Sequence, residues 1–220
     1  NASSGMTGDS TTCSTCRSVF RESIRYLFQN ASLLVVFLLA AVLNLALVGL
    51  TIGAPVIVAK HLEMQSSFVG IIEVAMGLGG LVGSGVVGMR PHRFSFKGIC
   101  RYIAMICFGV VPIIVTLLSG PDELAFAALA AGSAWVMAWA SITSVEIVSF
   151  VQRSAPKELC GKVLALIYMT LSCATPIGQL VYGLAYDRWT PAIVFAGMLA
   201  VLTLTTVLFY RLKSRLWRLS

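Results

Sequence analysis

The sequence predicts an all-α membrane protein whose six transmembrane helices form one bundle. First, 58% of the 220 residues are hydrophobic and only 11% are charged, whereas a soluble domain carries about 25% charged residues. Second, the apolar residues fall into six long runs, each near the roughly 20 residues that a helix needs to cross a bilayer. Third, the basic residues cluster beside alternate runs, which is typical of loops on one side of a membrane.

The six apolar runs define the predicted spans. A segment in lipid must satisfy its own backbone hydrogen bonds, and none of the runs alternates between apolar and polar residues, so we expect helices rather than strands. The predicted spans are residues 32–59, 68–89, 99–118, 124–151, 163–186 and 192–210.

Two polar segments precede the first span. Residues 1–19 are rich in Ser, Thr and Gly, which predicts a flexible cytoplasmic linker. Residues 20–30 place their apolar side chains on one helical face, which predicts an amphipathic cytoplasmic helix on the membrane surface. Cys13 and Cys16 form a lone CxxC in the linker, and because a zinc site needs four ligands we expect no metal there.

The charges of the loops predict the orientation. Of the 16 Lys and Arg residues, all but Lys60 and Arg188 lie at the two termini or at the loops that follow the second and fourth spans. By the positive-inside rule these regions are cytoplasmic, so we expect both termini in the cytoplasm. The sequence thus predicts a multi-pass protein of the plasma or inner membrane.

Several functional classes are excluded by composition and motifs. The net charge of +7 is spread over short clusters between apolar runs, so nucleic acid is not an expected partner. His61 and His92 lie in loops at opposite faces, and the sequence contains no GxSxG, HExxH or P-loop motif. We therefore expect neither an enzyme nor a bound cofactor or metal.

Two acidic residues lie inside predicted spans, Glu73 in the second and Glu146 in the fourth. Ionisable residues in a membrane are costly and often functional, and a carboxylate in apolar surroundings tends to take up a proton. Both are therefore candidates for proton coupling. The alternative is that each is paired, or reaches a headgroup or a water-filled crevice, without a coupling role.

Three spans carry polar residues along one helical face. Lipid does not favour such a face, so each predicts either a substrate cavity or packing and hydrogen bonds between helices. The fifth span has the clearest stripe, with polar residues three or four apart from Tyr168 to Tyr186. The cavity candidates are Asn44 and Thr51 in the first span, Trp139 and Thr143 in the fourth, and Ser172, Thr175, Gln179 and Tyr182 in the fifth.

Small residues and prolines mark positions where helices meet or bend. Ala75, Gly79 and Gly83 are four residues apart in the second span, which predicts close packing and, in a transporter, a surface on which helices slide. Prolines interrupt helical hydrogen bonds and predict kinks; these are Pro55, Pro112 and Pro176.

Taken in order, these segments resemble the C-terminal six-helix half of a major facilitator superfamily transporter, in the drug:proton antiporter branch that includes macrolide-efflux-like permeases. The resemblance is carried by NLALVGLTIGAPVIVAK in the first span, GIIEVAMGLGGLVGSGVVG in the second, the loop QRSAPKELCGKVLAL and PIGQLVYGLAYDRW in the fifth. The superfamily's cytoplasmic loop motif GxxxDRxGR is similar to the segment that keeps Gly85, Arg90 and Arg93, although Met89 replaces its Asp and His92 its second Gly.

The resemblance implies a half-bundle of the superfamily fold and proton-coupled efflux of small hydrophobic or amphipathic compounds by alternating access. Its implied partners are the bilayer, protons, the substrate, and an N-terminal six-helix half or a second subunit. The alternative is a six-helix membrane scaffold or receptor module that acts with a partner and transports nothing.

Overall fold

The computed structural model describes residues 25, 30–89, 96–154 and 156–216. Within these residues the chain forms six α-helices and no strand, so the predicted all-α class is confirmed. They are α1 (Ala31–Val56, continued by a π-helical turn, Ile57–His61), α2 (Ser66–Gly88), α3 (Phe96–Ser119), α4 (Asp122–Ser154), α5 (Lys157–Arg188) and α6 (Pro191–Leu216).

Some of the sequence predictions fall on other parts of the chain. The linker 1–19, the segment 20–30 apart from Arg25 and Asn30, and Arg90 and Arg93 of the loop motif lie outside the described residues. The same holds for Cys13, Cys16 and His92.

Each helix is long and apolar enough to cross a membrane. Several extend beyond the predicted apolar spans, most clearly α5, which has 32 residues and begins at Lys157, six residues before the predicted span. An apolar window marks what lipid can cover, whereas helical hydrogen bonding continues into the polar ends. Pro55, Pro112 and Pro176 lie inside helices, and the π-helical turn begins two residues after Pro55.

The centre of the bundle is made by α1 and α4. Helix α4 packs on α2 and α3, while α1 packs on α5 and α6, and α3 also contacts α6. One large apolar core joins these helices, with fully buried side chains at its middle. Among them are Val36, Leu50, Ile72, Ile103, Leu129 and Phe195.

Glycines set the distance between α2 and α4. A Cβ atom at Gly79 would collide with the backbone carbonyl of Ala134, and one at Gly83 would collide with that of Ala138. The two backbones therefore touch, as small residues at this spacing allow. The predicted close contact along the second span is confirmed.

The two ends of the bundle differ in charge. We call the end where α4 stops and α5 starts the basic end, because it carries Arg101, Arg153 and Lys162. The opposite end carries Lys60, which pairs with Asp187 at the end of α5. Chain connectivity places the first residues of α1, α3 and α5 at the basic end.

Candidate functional site

A cleft lies between α1, α4 and α5, in the half of the bundle nearer the basic end. It offers about 100 Å³ to water-sized molecules, and one water needs only about 10–15 Å³ of such space. Its lining comprises Ala40, Leu43, Asn44 and Leu47 of α1, Ile106 of α3, Ala140, Thr143, Ser144, Ile147, Val148 and Val151 of α4, and Leu164, Ile167, Tyr168 and Leu171 of α5.

Most of the lining side chains are apolar, and four are polar. None of the described residues that line the cleft carries a charge. The Thr143 hydroxyl is already used, since it donates to the Trp139 carbonyl at 2.8 Å. Ser144 and Tyr168 are exposed, so they mark the mouth of the cleft between α4 and α5.

Asn44 lies in the cleft wall and joins α1 to α5. Its Nδ2 donates to the Leu171 carbonyl at 3.3 Å and to Thr175 Oγ1 at 3.4 Å. The Thr175 hydroxyl also donates to the Leu171 carbonyl at 3.0 Å. Pro176 follows directly, and a proline inside a helix disturbs the carbonyls of the preceding turn. Asn44 therefore both lines the cleft and bonds α5 beside its proline.

Beyond Asn44, α1 and α5 are in close contact as far as the opposite end. We call Gly49, Gly53, Tyr182 and Tyr186 the tyrosine seam. The Tyr186 hydroxyl donates to the Gly49 carbonyl at 3.0 Å. A Cβ atom at Gly49 would lie 2.6 Å from the Tyr182 ring, and one at Gly53 would collide with the Tyr186 hydroxyl. The two glycines thus create the space that the tyrosines fill.

The tyrosine seam ends at an ion pair. Lys60 Nζ lies 2.8 Å from Asp187 Oδ1, and the two side chains are 67% and 63% exposed. Lys60 belongs to the π-helical turn, so this turn orients the lysine toward α5. The preceding residues of α5, Tyr182 and Tyr186, are tilted relative to each other with ring centroids 6.5 Å apart.

At the basic end the same two helices meet again. Leu33 of α1, Val151 of α4, and Val163, Leu166 and Ile167 of α5 are buried together in a separate apolar cluster. We call these five residues the basic-end cluster. The cleft therefore lies between two contacts of α1 with α5, one at each of its ends.

The polar stripe of α5 is divided by the structure. Tyr168 reaches the cleft, Thr175 bonds Asn44, and Tyr182 and Tyr186 pack on α1. Ser172 and Gln179 are exposed and do not line the cleft. The stripe thus serves a cavity at one end and helix packing at the other.

Two further cavity candidates lie away from the cleft. Thr51 is exposed, and its hydroxyl donates to the Val48 carbonyl at 3.0 Å. Trp139 stacks on Tyr102 of α3 with ring centroids 5.6 Å apart and contacts Trp135, whose Nε1 donates to the Met105 carbonyl. Trp139 therefore belongs to aromatic packing between α3 and α4.

The two acids have different surroundings. Glu146 is only 3% exposed and follows Ile142 by four residues and Trp139 by seven, so it shares their side of α4. Those residues pack with Val87 and Tyr102, whereas the cleft lies on another side. Glu73 is exposed on α2, and its side chain forms no hydrogen bond or ion pair with another residue that the structure describes.

Most of the lining could not be found by sequence reasoning. Ala40, Leu43, Ile147 and Leu164 are apolar like the rest of their spans, so no pattern distinguishes them. Tyr168 belonged to the visible stripe of α5, and that spacing was the one usable signal. Of the loop motif, the described part of the chain contains Gly85, which is exposed. No three His, Cys, Asp or Glu residues come together in the described ranges.

The chain matches the model of a known protein family. Residues 9–219 match a family model, MFS_3, whose description is "transmembrane secretion effector". No curated protein matches the chain.

Proposed function

The chain belongs to the transmembrane secretion effectors of the major facilitator superfamily, and from that premise we propose that it is a secondary active transporter exporting small hydrophobic or amphipathic compounds by proton-coupled alternating access. The observation that carries this proposal is the cleft between α1, α4 and α5. It lies within the bundle, in helices that are long enough to span a membrane.

The chemistry of the lining supports the proposed class of substrate. Aliphatic side chains cover most of the surface, and Ser144, Tyr168 and the Asn44 carboxamide provide a few hydrogen-bonding groups. Apolar walls with a small number of polar groups are typical of sites for small organic molecules. We expect a largely apolar substrate with one or two polar groups, which Asn44 orients.

We further propose that this bundle is the C-terminal half of the transport unit. Drug-sized sites have volumes of roughly 300–1,000 Å³, so a space of about 100 Å³ is only part of one. An N-terminal six-helix half or a second subunit would complete it across the mouth at Ser144 and Tyr168. The distribution of basic residues supports cytoplasmic termini in a plasma or inner membrane.

Glu73 and Glu146 remain the proposed proton-coupling residues. Neither lines the cleft, so coupling through them would be indirect. A proton taken up by Glu146 inside the bundle would change the packing of α4 on α2 and α3. An ionised Glu73 on the surface of α2 is costly in lipid. Its protonated form would let this surface of α2 face lipid, whereas its ionised form would favour polar surroundings.

The cleft is tested by filling it. Ala140→Leu adds apolar volume at a lining residue of α4, and we expect it to reduce efflux of apolar compounds from cells or vesicles by about tenfold, since misplacement of a bound molecule by 1 Å can cost as much as a hundredfold. Ser144→Leu at the mouth should act in the same direction. Ala127→Leu, at an exposed position of the same helix, is the matched control.

Membrane abundance of each variant, measured by immunoblot, separates loss of transport from loss of protein. Unchanged efflux by well-expressed Ala140→Leu and Ser144→Leu would contradict the assignment of the cleft. A wild-type protein that moves no compound and no protons would instead favour a scaffold or receptor module.

A further inference from the structure

Asn44 has two tasks that compete for one amide group. Its side chain lines the cleft, and its Nδ2 donates across to α5, to the Leu171 carbonyl at 3.3 Å and to Thr175 Oγ1 at 3.4 Å. The Thr143 hydroxyl, by contrast, bonds a carbonyl of its own helix. At Asn44, a compound in the cleft and α5 therefore meet at the same side chain.

The two bonds from Asn44 to α5 are long. Hydrogen bonds between N–H groups and oxygen typically measure about 2.7–3.2 Å from donor to acceptor, so contacts of 3.3 and 3.4 Å are weak. The carbonyl oxygen of a compound in the cleft can approach the amide to its best distance, whereas the two acceptors on α5 are fixed by their helix. An exchange of partners therefore strengthens the bonding of the amide.

The exchange costs α5 little. The Leu171 carbonyl still accepts the Thr175 hydroxyl at 3.0 Å after the Asn44 amide has left, and the same bond keeps the Thr175 hydroxyl paired as a donor. The large penalty in apolar surroundings falls on a polar group that has lost its partner. Both groups of α5 keep one, so the exchange removes a bond between α1 and α5 without damage to α5 itself.

The helix is interrupted directly after this turn. Pro176 lies inside α5 and has no N–H group, so it cannot bond the carbonyl four residues earlier, and its ring crowds that carbonyl. Helices bend most easily at such positions. Because Asn44 bonds the turn that precedes the proline, it restrains bending of α5 relative to α1.

We infer that the transported compound carries a neutral hydrogen-bond acceptor, such as a carbonyl oxygen, and that this acceptor takes the Asn44 amide from α5. Binding in the cleft thereby releases α5 from α1 beside Pro176. The inference deepens the proposed function and rests on it. The acceptor is neutral because none of the described residues that line the cleft carries a charge, and an ion buried without a partner is costly.

Two matched compounds test the exchange. Fluorenone and fluorene share the same fused rings, but fluorenone has a carbonyl group where fluorene has a methylene group. Equilibrium binding of each compound is measured with the purified full chain in lipid nanodiscs, and binding to empty nanodiscs is subtracted. The quantity compared is the ratio of each Kd between a variant and the wild type, so that partitioning of the compounds into lipid cancels.

Removal of the amide should abolish the preference for the carbonyl. Asn44→Leu keeps the approximate size of the side chain, and we expect it to raise the Kd for fluorenone by about threefold more than the Kd for fluorene, the effect of one average hydrogen bond between membrane helices. An equal change in the two Kd values would overturn the inference. The inference would also fall if fluorenone did not bind the wild type saturably.

Removal of the competing acceptor on α5 should have the opposite effect. Thr175→Val keeps the shape of the side chain but frees the Asn44 amide from one of its partners. We expect the Kd for fluorenone to fall by about threefold and the Kd for fluorene to stay unchanged, while Thr175→Ser, which keeps the hydroxyl, binds both like the wild type. A purely structural role of Thr175 predicts weaker binding, or equal changes for both compounds, and either result would overturn the exchange.

Thr170→Val is the matched control on the same helix. The Thr170 hydroxyl donates to the Leu166 carbonyl at 2.9 Å, as the Thr175 hydroxyl does to a carbonyl four residues earlier, but the Asn44 amide is directed to Leu171 and Thr175 instead. Neither Kd should change in this variant. A fall in the Kd for fluorenone as large as that in Thr175→Val would overturn the role of Thr175 as the competing acceptor.

The release of α5 has a readout that does not require transport. Spin labels at Leu38→Cys of α1 and Met169→Cys of α5 occupy exposed positions, in a background whose six native cysteines are replaced and whose Kd for fluorenone is retained. We expect fluorenone, but not fluorene, to shift the distances between the labels to longer values, because a ligand that binds one state better shifts the population toward it. Asn44→Leu should show the longer distances without any ligand.

The outcomes separate this inference from the proposed function. Distances that respond neither to fluorenone nor to Asn44→Leu would overturn the release of α5. If the binding and distance measurements agree with these expectations but cells and vesicles export no compound, the proposed function fails and the exchange at Asn44 stands. If export occurs while the variants treat the two compounds alike, the exchange fails and the proposed function stands.

Discussion

The tyrosine seam and the basic-end cluster join the same two helices in opposite ways. In the seam, glycines of α1 allow tyrosine rings of α5 to reach the backbone, and a hydroxyl closes on the Gly49 carbonyl. In the cluster, branched aliphatic side chains fill the space between α1, α4 and α5. The comparison teaches that burial alone does not rank contacts in a membrane, because lipid competes for every apolar surface.

The tyrosine seam is stabilised by interactions that lipid cannot replace. Lipid tails offer no donor for a carbonyl and cannot follow the contour that two glycines leave on α1. Three substitutions test this view of the seam, and we order them by expected effect.

The largest effect is expected when the space above Gly49 is filled. Gly49→Leu would drive its side chain into the Tyr182 ring, and overpacking of this kind costs typically about 1–3 kcal/mol. We expect a marked fall in Tm in detergent, measured by thermal shift, and reduced membrane abundance. Gly183→Leu is the matched control, because a Cβ atom at Gly183 meets no other atom. Equal losses at the two glycines would mean that the seam is not closely packed.

A smaller effect is expected from the hydrogen bond itself. Tyr186→Phe keeps the ring and removes the hydroxyl that donates to the Gly49 carbonyl, so we expect destabilisation of about 0.6 kcal/mol, the average for hydrogen bonds between membrane helices, and of about 1.7 kcal/mol at most. This loss of stability is measured by denaturant-induced unfolding in detergent or by thermal shift. Tyr168→Phe removes a hydroxyl from a side chain that is 53% exposed and should leave the Tm unchanged. If Tyr186→Phe has the same Tm as the wild type, packing alone accounts for the stability of the tyrosine seam.

The smallest effect is expected at the ion pair. Lys60 and Asp187 are both exposed, and exposed pairs contribute little because solvent and salt screen them. We expect Lys60→Ala to shift the Tm only slightly at low salt and not at high salt. The exchanged pair Lys60→Asp with Asp187→Lys should behave like the wild type. A large loss restored by the exchange would extend the stabilising part of the seam to the helix ends.

Sequence reasoning succeeded where lipid leaves few choices. A span must be helical and about 20 residues long, so six apolar runs predicted six helices. Gly79 and Gly83 predicted a close helix contact, since small residues four apart have few other uses in a span. The interhelical role of Asn44 was one of two alternatives, and its side chain does bond α5. Asn44 also lines the cleft, and a contact with substrate there stays a prediction.

The positions around the cleft could not be predicted in the same way. In a soluble helix the apolar side marks the core, but a transmembrane helix is apolar on every side, so periodicity does not identify the packed face. Tyr168 and Tyr186 belong to one stripe, yet the first reaches the cleft and the second is buried on α1. Only the placement of α1 beside α5 separates their roles.

The glycine contact between α2 and α4 also sets an order of assembly. The face of α2 that contains Gly79 and Gly83 packs against Ala134 and Ala138 of α4. The ribosome synthesises these alanines about 55 residues after the glycines. At roughly 5–20 residues per second, α2 waits on the order of 3–10 s for its partner. During that interval its narrow glycine surface is covered by lipid or by the insertion machinery. The bundle therefore closes only after α4 has entered the membrane, and its first four helices mature together rather than one by one.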